Sequence, residues 1–317
     1  MSKTRRLVIL PIVALILAAC QATDEGSPAA SSGGTEESMG AGASAAPSAG
    51  GETVDITNVV CVGEATTYLD WLNGDFEPDE PDPIEEADEA GDLLETIRER
   101  GTIVVSTDPN YAPQSFLEPD GTFVGFDIDV ATEIAERLGV EIQFETPDWD
   151  LITAGNWGER WDISVGSMTI TTPRKEILSF TQPYYFTPAA LAASERSGVT
   201  SVDDLPFELP DGAEATTLPT DANCAEAIQA GREEFDLWVS AGPTIDEAIG
   251  RDIPVVKVSD SIYVENLAVA IDKSGPEHAA LLYEIDRIIG EMHEDGTLTA
   301  LSEEWFEGED LTQAPDE

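Results

Sequence analysis

The sequence contains few basic residues, few histidines and few cysteines for its length. Among 317 residues, 15 lysines and arginines stand against 64 aspartates and glutamates, so the formal net charge is −49 at pH 7. Such a charge repels phosphate groups and excludes nucleic acid and anionic membrane surfaces as partners. Two histidines and three cysteines, without a Cys/His cluster, give no pattern of a zinc site. The sequence therefore indicates neither a metal nor another cofactor.

A short apolar run near the N-terminus is typical of an export signal. Basic residues precede an apolar stretch at residues 7–17, which is too short to span a bilayer. Two alanines then come immediately before Cys20, as in a lipobox. Residues 1–19 are predicted to be a lipoprotein signal peptide, and Cys20 is predicted to carry the lipid anchor of an extracytoplasmic protein. An ordinary signal peptide with an incidental cysteine stays open as the alternative.

The next two segments differ in composition. Residues 20–52 are mostly Ala, Ser, Gly, Pro and Glu, with too little apolar surface to offset the entropy of ordering, so they are predicted to be a disordered tether. Residues 53–92 form an acidic N-terminal extension with some apolar side chains. This extension either packs on the main body or forms a small partner-binding element.

Two cysteines remain after the lipidated one, Cys61 and Cys224. An even pair in an oxidising compartment indicates a possible disulfide. The sequence does not show whether their Cα atoms come close enough to be bridged.

From residue 93 onward, strand and helix patterns alternate. Runs rich in apolar and β-branched residues predict strands, and apolar residues at helical spacing predict helices. The predicted strands are residues 102–106, 140–144, 163–165, 235–239, 255–258 and 266–271, and the predicted helices are residues 127–138, 222–230, 244–249 and 279–292. The alternation predicts an α/β fold with a mostly parallel sheet, which binds ligands at the carboxyl ends of its strands.

A hydroxyl-rich turn follows the strand at residues 163–165. It contains Ser167, Met168 and Thr169, and Arg174 follows five residues after Thr169. Backbone N–H groups, hydroxyls and one guanidinium together make a concave set of donors that suits a planar carboxylate. The turn therefore predicts an anion-binding site that needs no base or nucleophile. A surface turn with a solvated arginine is the simpler alternative.

Residues 166–174 (GSMTITTPR), 180–184 (FTQPY) and 296–306 together resemble the signature of extracellular solute-binding protein family 3, the polar amino-acid-binding receptors of ABC transporters. The resemblance covers about residues 93–307. It implies a two-lobed type II periplasmic-binding-protein fold with two crossing hinge segments. The implied divisions are lobe 1 at residues 93–186 and 263–307, lobe 2 at residues 187–262, and an acidic tail at residues 308–317.

The resemblance also implies a function. The chain is expected to be a monomeric, lipid-anchored receptor that captures a small polar amino acid or related carboxylate by cleft closure and then docks on an ABC transporter permease. It is not expected to be an enzyme. Two alternatives stay open: a prephenate-type dehydratase on the same scaffold, which would need a positioned acid or base, and a ligand sensor for a membrane partner.

Ligand-binding residues follow from matching positions in the family pattern. Asp108 is expected to meet a cationic or amide side chain, and Tyr111 and Trp149 are expected to flank the ligand as aromatic walls. The turn containing Ser167, Met168 and Thr169 is expected to bind the α-carboxylate with Arg174 and to assist the ammonium. Asp108 is alternatively a turn residue, and Trp149 is alternatively a core residue.

The second lobe departs from the family pattern. Its ligand-binding turn reads Leu-Pro-Thr220-Asp221, and Ala241 stands where an acid that holds the ligand ammonium is expected. Thr220 and Asp221 are the predicted ligand residues of this lobe. Asp221 either replaces the missing acid or caps the following helix; otherwise the ligand lacks a free α-ammonium. In lobe 1, Gln114 replaces the phenylalanine of the family's Y-x-P-F motif.

Overall fold

A computed structural model describes residues 56–63, 67–68, 71, 79–209 and 212–314. The predicted signal peptide, the predicted lipidation site Cys20 and the tether lie outside these residues, as do parts of the acidic extension and the end of the acidic tail. No helix in the described ranges combines the length and the apolar character needed to cross a membrane.

Within these ranges the chain forms eleven strands and eight α-helices. The strands are β1 (Val59–Gly63), β2 (Thr102–Ser106), β3 (Asn110–Tyr111), β4 (Ser115–Leu117), β5 (Phe123–Val124), β6 (Glu141–Glu145), β7 (Ile163–Thr169), β8 (Leu178–Ser194), β9 (Glu214–Leu218), β10 (Leu237–Ala241) and β11 (Val255–Asp272). The helices are α1 (Leu93–Arg100), α2 (Phe126–Leu138), α3 (Trp149–Thr153), α4 (Thr172–Lys175), α5 (Asp221–Gln229), α6 (Gly242–Gly250), α7 (Ala279–Glu294) and α8 (Thr297–Trp305).

Most of the predicted elements are confirmed to within a few residues. The strand at residues 102–106 is β2, the helix at residues 127–138 is α2, and the helix at residues 279–292 is α7. The strands predicted at residues 255–258 and 266–271 are two parts of the single strand β11. Local periodicity divided this strand because its middle is polar.

Eight strands form one sheet in the order β6-β2-β7-β11-β8-β10-β1-β9, and β3, β4 and β5 form a smaller sheet. The strands β8 and β11 lie antiparallel in the middle of the large sheet, with Leu178 paired to Asp272 and Ser194 paired to Val255. These two long strands are the crossing segments that join the two halves. The fold is therefore the expected two-lobed α/β arrangement.

Each half of the sheet has hydrophobic clusters of its own. Lobe 1 is the half with β6, β2 and β7; α1, α2, α7 and α8 pack on one face, and a cluster that includes Trp157 and Met168 covers the other. Lobe 2 is the half with β10, β1 and β9; Trp238 and Ile245 belong to the cluster on the side of α5 and α6, and Tyr68 lies in the cluster on the opposite side. Each lobe therefore has a hydrophobic core of its own. Each large apolar side chain buried in these cores contributes about 1.5–3 kcal/mol to the free energy of unfolding.

The acidic extension contributes a central strand to lobe 2. The strand β1 lies between β10 and β9 and runs parallel to both, with Cys61 paired to Trp238 and to Thr216. Cys61 is fully buried, and its sulfur is bonded to that of Cys224 in α5 across a Cα–Cα distance of 5.9 Å. Of the two alternatives for this extension, packing on the main body is therefore the one observed for β1, and the strand is part of the lobe 2 sheet rather than a separate segment.

The same extension also reaches lobe 1. The backbone N–H of Asp79 donates to the carbonyl of Ile170 at 3.2 Å, and its side chain lies 3.0 Å from the Lys175 ammonium. Further along, one Asp92 carboxylate accepts from the backbone N–H of Leu94 in α1 and from that of Ala280 in α7. The extension therefore contacts both halves of the protein.

Candidate ligand-binding site

The end of β7 and the short helix α4 bring three predicted site residues together. The Arg174 guanidinium donates to the backbone carbonyl of Thr169 at 3.0 Å. Its Cζ atom lies 5.5 Å from the centre of the Trp149 ring, a cation–π distance. Thr171 caps α4 by accepting from the Arg174 N–H, which fixes where the arginine leaves the backbone. The Arg174 guanidinium is therefore oriented by the Thr169 carbonyl and by the face of the Trp149 indole.

The two other residues of the turn have structural roles. The Ser167 hydroxyl donates to Asp127 at 2.8 Å and lies 2.7 Å from the Tyr185 hydroxyl. The Met168 side chain is fully buried in the apolar cluster behind the strand. Because side chains alternate across a strand, Met168 faces away from Ser167 and Thr169. Met168 can therefore take part in ligand binding only through its backbone, and its predicted place in the site stays a prediction.

Asp127 is a buried carboxyl beneath this turn. It accepts from the Tyr184 hydroxyl at 2.7 Å as well as from Ser167. Burial raises the pKa of Asp127 to about 7, although both hydroxyl bonds oppose the rise. Ser167 has a φ of +53°, which is uncommon for a residue other than glycine. The Asp127 network therefore holds the turn in this conformation.

Asp108 lies in the loop after β2, and Tyr111 ends the short strand β3 that follows. The Asp108 carboxylate accepts from the Asn110 N–H at 2.7 Å, which is the turn role given as its alternative, and burial raises its pKa. Asp108 also lines a cavity of about 10 Å³ together with Trp149. The pKa of the Tyr111 hydroxyl lies well above its usual value because of burial and, among nearby charges, that of Asp221. Asp108 thus lies beside one aromatic wall, and Tyr111 lies close to an acid of lobe 2.

Thr220 and Asp221 lie at the start of α5. Thr220 is the N-cap, since its side chain accepts from the Asn223 N–H. The N-cap alternative for Asp221 is therefore wrong. The Asp221 carboxylate is buried and accepts from the Trp238 indole N–H at 3.3 Å, and burial raises its pKa to about 7. A Cβ atom on Gly63 would lie 2.8 Å from this carboxylate, so the close approach of β1 requires glycine there.

Sequence reasoning missed Glu265, on the hinge strand β11, and Thr67, in the acidic extension. The Glu265 carboxylate is 7% exposed and accepts from the hydroxyls of Thr67 at 2.6 Å and Thr169 at 2.8 Å. Burial raises the pKa of Glu265, and the nearby Arg174 charge opposes the rise. The available signal was a lone acid immediately before the apolar strand predicted at residues 266–271. Thr67 had no signal because it lies outside the family resemblance.

A direct hydrogen bond joins the lobes on another side of the cleft. The Thr244 hydroxyl in α6 donates to the side-chain oxygen of Gln114 at 3.1 Å, and both residues are buried. Nearby, a groove of about 490 Å³ runs between the β3–β4 hairpin and the helices α5 and α6. None of the predicted ligand residues line this groove, so it is distinct from the site around Arg174.

In the ranges that the structure describes, no group of three or more His, Cys, Asp or Glu side chains is arranged to hold a metal ion.

Comparison with known proteins places the chain in a family. The model of the bacterial extracellular solute-binding proteins, family 3, matches residues 103–308. The chain belongs to this family. The matched residues include the turn of β7, Arg174 and Glu265, but they exclude β1 and Thr67, which come from the acidic extension.

Several proteins that this chain resembles are amino-acid-binding proteins. The L-cystine-binding protein TcyJ of Escherichia coli K12 is 29% identical over 70% of this chain and 88% of its own length. The crystal structure of an ancestral amino-acid-binding protein, AncCDT-1, described as a precursor of cyclohexadienyl dehydratase, is 29% identical with a TM-score of 0.59 and covers 68% of this chain and 99% of that one. An ancestral arginine-binding protein bound to glutamine is 26% identical with a TM-score of 0.58, covering 65% and 98%.

Proposed function

We propose that this protein is a lipid-anchored extracytoplasmic receptor of an ABC importer, and that it captures a small polar amino acid or a related carboxylate between its lobes. Membership of the solute-binding family and the amino-acid receptors among its relatives support this function. The proposed site residues are Asp108, Tyr111, Trp149, Ser167, Met168, Thr169, Arg174, Thr220 and Asp221. Met168 takes part through its backbone, Ser167 supports the turn, and Thr220 caps α5.

The observation that carries this proposal is the position of Arg174. Its guanidinium is held by the Thr169 carbonyl and lies over the Trp149 ring. A guanidinium fixed on two sides loses little freedom when it binds a carboxylate in a bidentate manner. Such a charge-assisted interaction contributes about 1.5–3 kcal/mol.

Closure of the cleft is the proposed mechanism of capture. The lobes are joined by the two long strands, and Thr244 and Gln114 meet across the cleft. A ligand that contacts both lobes binds the closed form better and shifts the population towards it. The closed form then docks on the permease.

The main experiment is a thermal-shift screen of the purified protein against the common amino acids, cystine, betaines and small carboxylates. A ligand at about 100 times its dissociation constant adds about 2.7 kcal/mol to the free energy of unfolding. We expect one class of amino acid to raise the melting temperature of the wild type but not of Arg174→Ala. The exposed Arg232→Ala is the matched control and keeps the response. A wild-type protein that no compound stabilises contradicts the proposal.

The proposed anchor is tested separately. Mass spectrometry of the N-terminal peptide from membranes is expected to show a chain that begins at a diacylglyceryl-modified Cys20, and Cys20→Ser is expected to release the protein from the membrane. An unmodified N-terminal peptide in the membrane fraction contradicts the anchor but leaves ligand capture in place. Light scattering of the soluble protein tests the proposed monomer.

A dehydratase is the second candidate. The similarity to AncCDT-1 and the raised pKa of about 7 of the buried Asp221 support it, because a carboxyl that keeps its proton near neutral pH can act as a general acid. Incubation with prephenate separates the candidates. Formation of phenylpyruvate that is lost in Asp221→Asn supports the enzyme, whereas amino-acid binding without turnover supports the receptor.

A further inference from the structure

Glu265 is a buried acid in the cleft that the family pattern does not predict. It lies on β11 where this strand passes between the lobes, paired with Thr187 of the other crossing strand. Thr67 and Thr169 both donate to the same carboxylate oxygen, Oε1. Burying a carboxylate is costly unless hydrogen bonds or an opposite charge compensate it. The two hydroxyls and the nearby Arg174 charge compensate the burial of this carboxylate only in part, because its pKa is still raised, so this position is suited to a further, bound cation.

Thr169 links this acid to the carboxylate-binding arginine. Its backbone carbonyl accepts from Arg174 at 3.0 Å, while its hydroxyl donates to Glu265 at 2.8 Å. One residue therefore holds a cationic and an anionic side chain on neighbouring sides of a single turn. An α-amino acid carries its carboxylate and ammonium on one carbon atom, so a receptor for it needs these two opposite charges close together.

The other acids of the cleft are less suited to this role. Asp221 already accepts from the Trp238 indole and is packed against Gly63. Asp108 accepts from the backbone of its own turn. Ala241, where the family resemblance led us to expect an acid, ends β10 with an apolar side chain. Glu265, in contrast, is linked to Arg174 through Thr169, which forms a hydrogen bond with each of them.

We propose that Glu265 binds the α-ammonium of the ligand and so replaces the acid that is missing at Ala241. The ligand is then an α-amino acid with a free ammonium rather than a simple carboxylate. This inference rests on the proposed receptor function. Thr67 is a positioning residue, because its hydroxyl donates to the same Glu265 oxygen as the Thr169 hydroxyl. Through Thr67, the acidic extension helps to shape the ligand site although it lies outside the family-matched residues.

The experiment compares an amino acid with its des-amino analogue. Isothermal titration calorimetry on the full protein uses the best-binding α-amino acid of the thermal screen and the carboxylic acid that carries hydrogen in place of its ammonium. For L-arginine this is des-amino arginine, and for L-cystine, which has two α-ammonium groups, it is the disulfide dicarboxylic acid that lacks both. We expect the wild type to bind the amino acid about 10- to 100-fold more tightly than the analogue.

Three variants identify the group responsible. Glu265→Gln keeps the shape of the side chain and removes its charge. We expect it to lower the affinity for the amino acid about 10-fold or more and the affinity for the des-amino analogue less than about threefold. Thr67→Val is expected to lower the affinity for the amino acid by a smaller factor, and again to affect the amino acid more than the des-amino analogue. Glu303→Gln makes the same change of charge at an exposed position and is expected to behave as the wild type.

The outcomes separate this inference from the proposed function. If Glu265→Gln binds the amino acid as tightly as the wild type, or weakens both ligands equally, the inference is wrong and the receptor function stands. If the wild type prefers the des-amino analogue, the inference is also wrong and the ligand is a simple carboxylate. If the wild type binds no amino acid and no carboxylate, both the inference and the receptor function are wrong.

Discussion

Cys61 of β1 and Cys224 of α5 are joined by a disulfide, although 163 residues separate them in the sequence. The bond ties a strand of the acidic extension to the first helix of the segment that was predicted to form lobe 2. Both cysteines are fully buried, so the crosslink lies inside the lobe rather than on its surface.

Removing this disulfide is expected to destabilise the protein. Closing so long a loop restricts the unfolded chain, and losing a native disulfide typically costs about 2–5 kcal/mol. We expect Cys61→Ala combined with Cys224→Ala to lower the melting temperature, and a reductant to lower that of the wild type. The double variant serves as the control because a reductant should not change its melting temperature. Equal melting temperatures for all of these samples would show that the bond contributes nothing.

The hydrogen bond between Thr244 and Gln114 is expected to favour the closed form, because it joins the two lobes. Thr244→Val removes the donor, and a neutral hydrogen bond contributes about 0.5–1.5 kcal/mol. We expect ligand affinity to fall about 2- to 10-fold and the radius of gyration in small-angle scattering to increase. Thr132→Val removes a hydroxyl bond within α2 alone and should leave affinity unchanged. Unchanged affinity in Thr244→Val would exclude a role for this contact in closure.

Stability is expected to fall as pH rises towards and above neutrality. Asp127 has a pKa of about 7 in the folded protein, whereas an ordinary aspartate in the unfolded chain has a pKa of about 4. The folded state therefore holds the proton more tightly, and this contribution is complete below about pH 4 and lost as pH rises through about 7. Asp221 acts in the same direction.

The measurement is the free energy of unfolding in denaturant between about pH 5 and pH 8. We expect a decrease of at most about 1.4 kcal/mol per pH unit for each group, and a shallower decrease in Asp127→Asn. Glu303→Gln, which changes an exposed acid, should retain the wild-type slope. A wild-type stability that rises over this range is the contrary result.

Salt is expected to stabilise the protein. The formal net charge of −49 means that the acidic side chains repel one another in the compact state. Dissolved ions screen this repulsion, and the screening becomes stronger as the salt concentration increases. We expect the melting temperature to rise between low salt and molar NaCl, and to rise equally in choline chloride because screening depends on ionic strength. An unchanged or lower melting temperature would mean that self-repulsion is not a significant cost.

Part of the candidate site could be predicted because it lies within one stretch of chain. Thr169 and Arg174 are five residues apart, and the strand, turn and helix that contain them follow from local pattern and turn chemistry. The roles within the turn needed the structure. Met168 faces the core because of strand alternation, and the Ser167 hydroxyl contacts Asp127, which lies forty residues earlier. A residue match to a family pattern does not separate side chains that face the cleft from those that support it.

The sequence by itself determined the α/β class, most of the strands and helices after residue 93, and the donor-rich turn before Arg174, because periodicity and turn chemistry act over a few residues. Only the tertiary structure decided that β1 lies between β10 and β9 and that Glu265 lies between Thr67 and Thr169. Both arrangements depend on which distant strands pair, and a local pattern that makes a strand does not specify its neighbours.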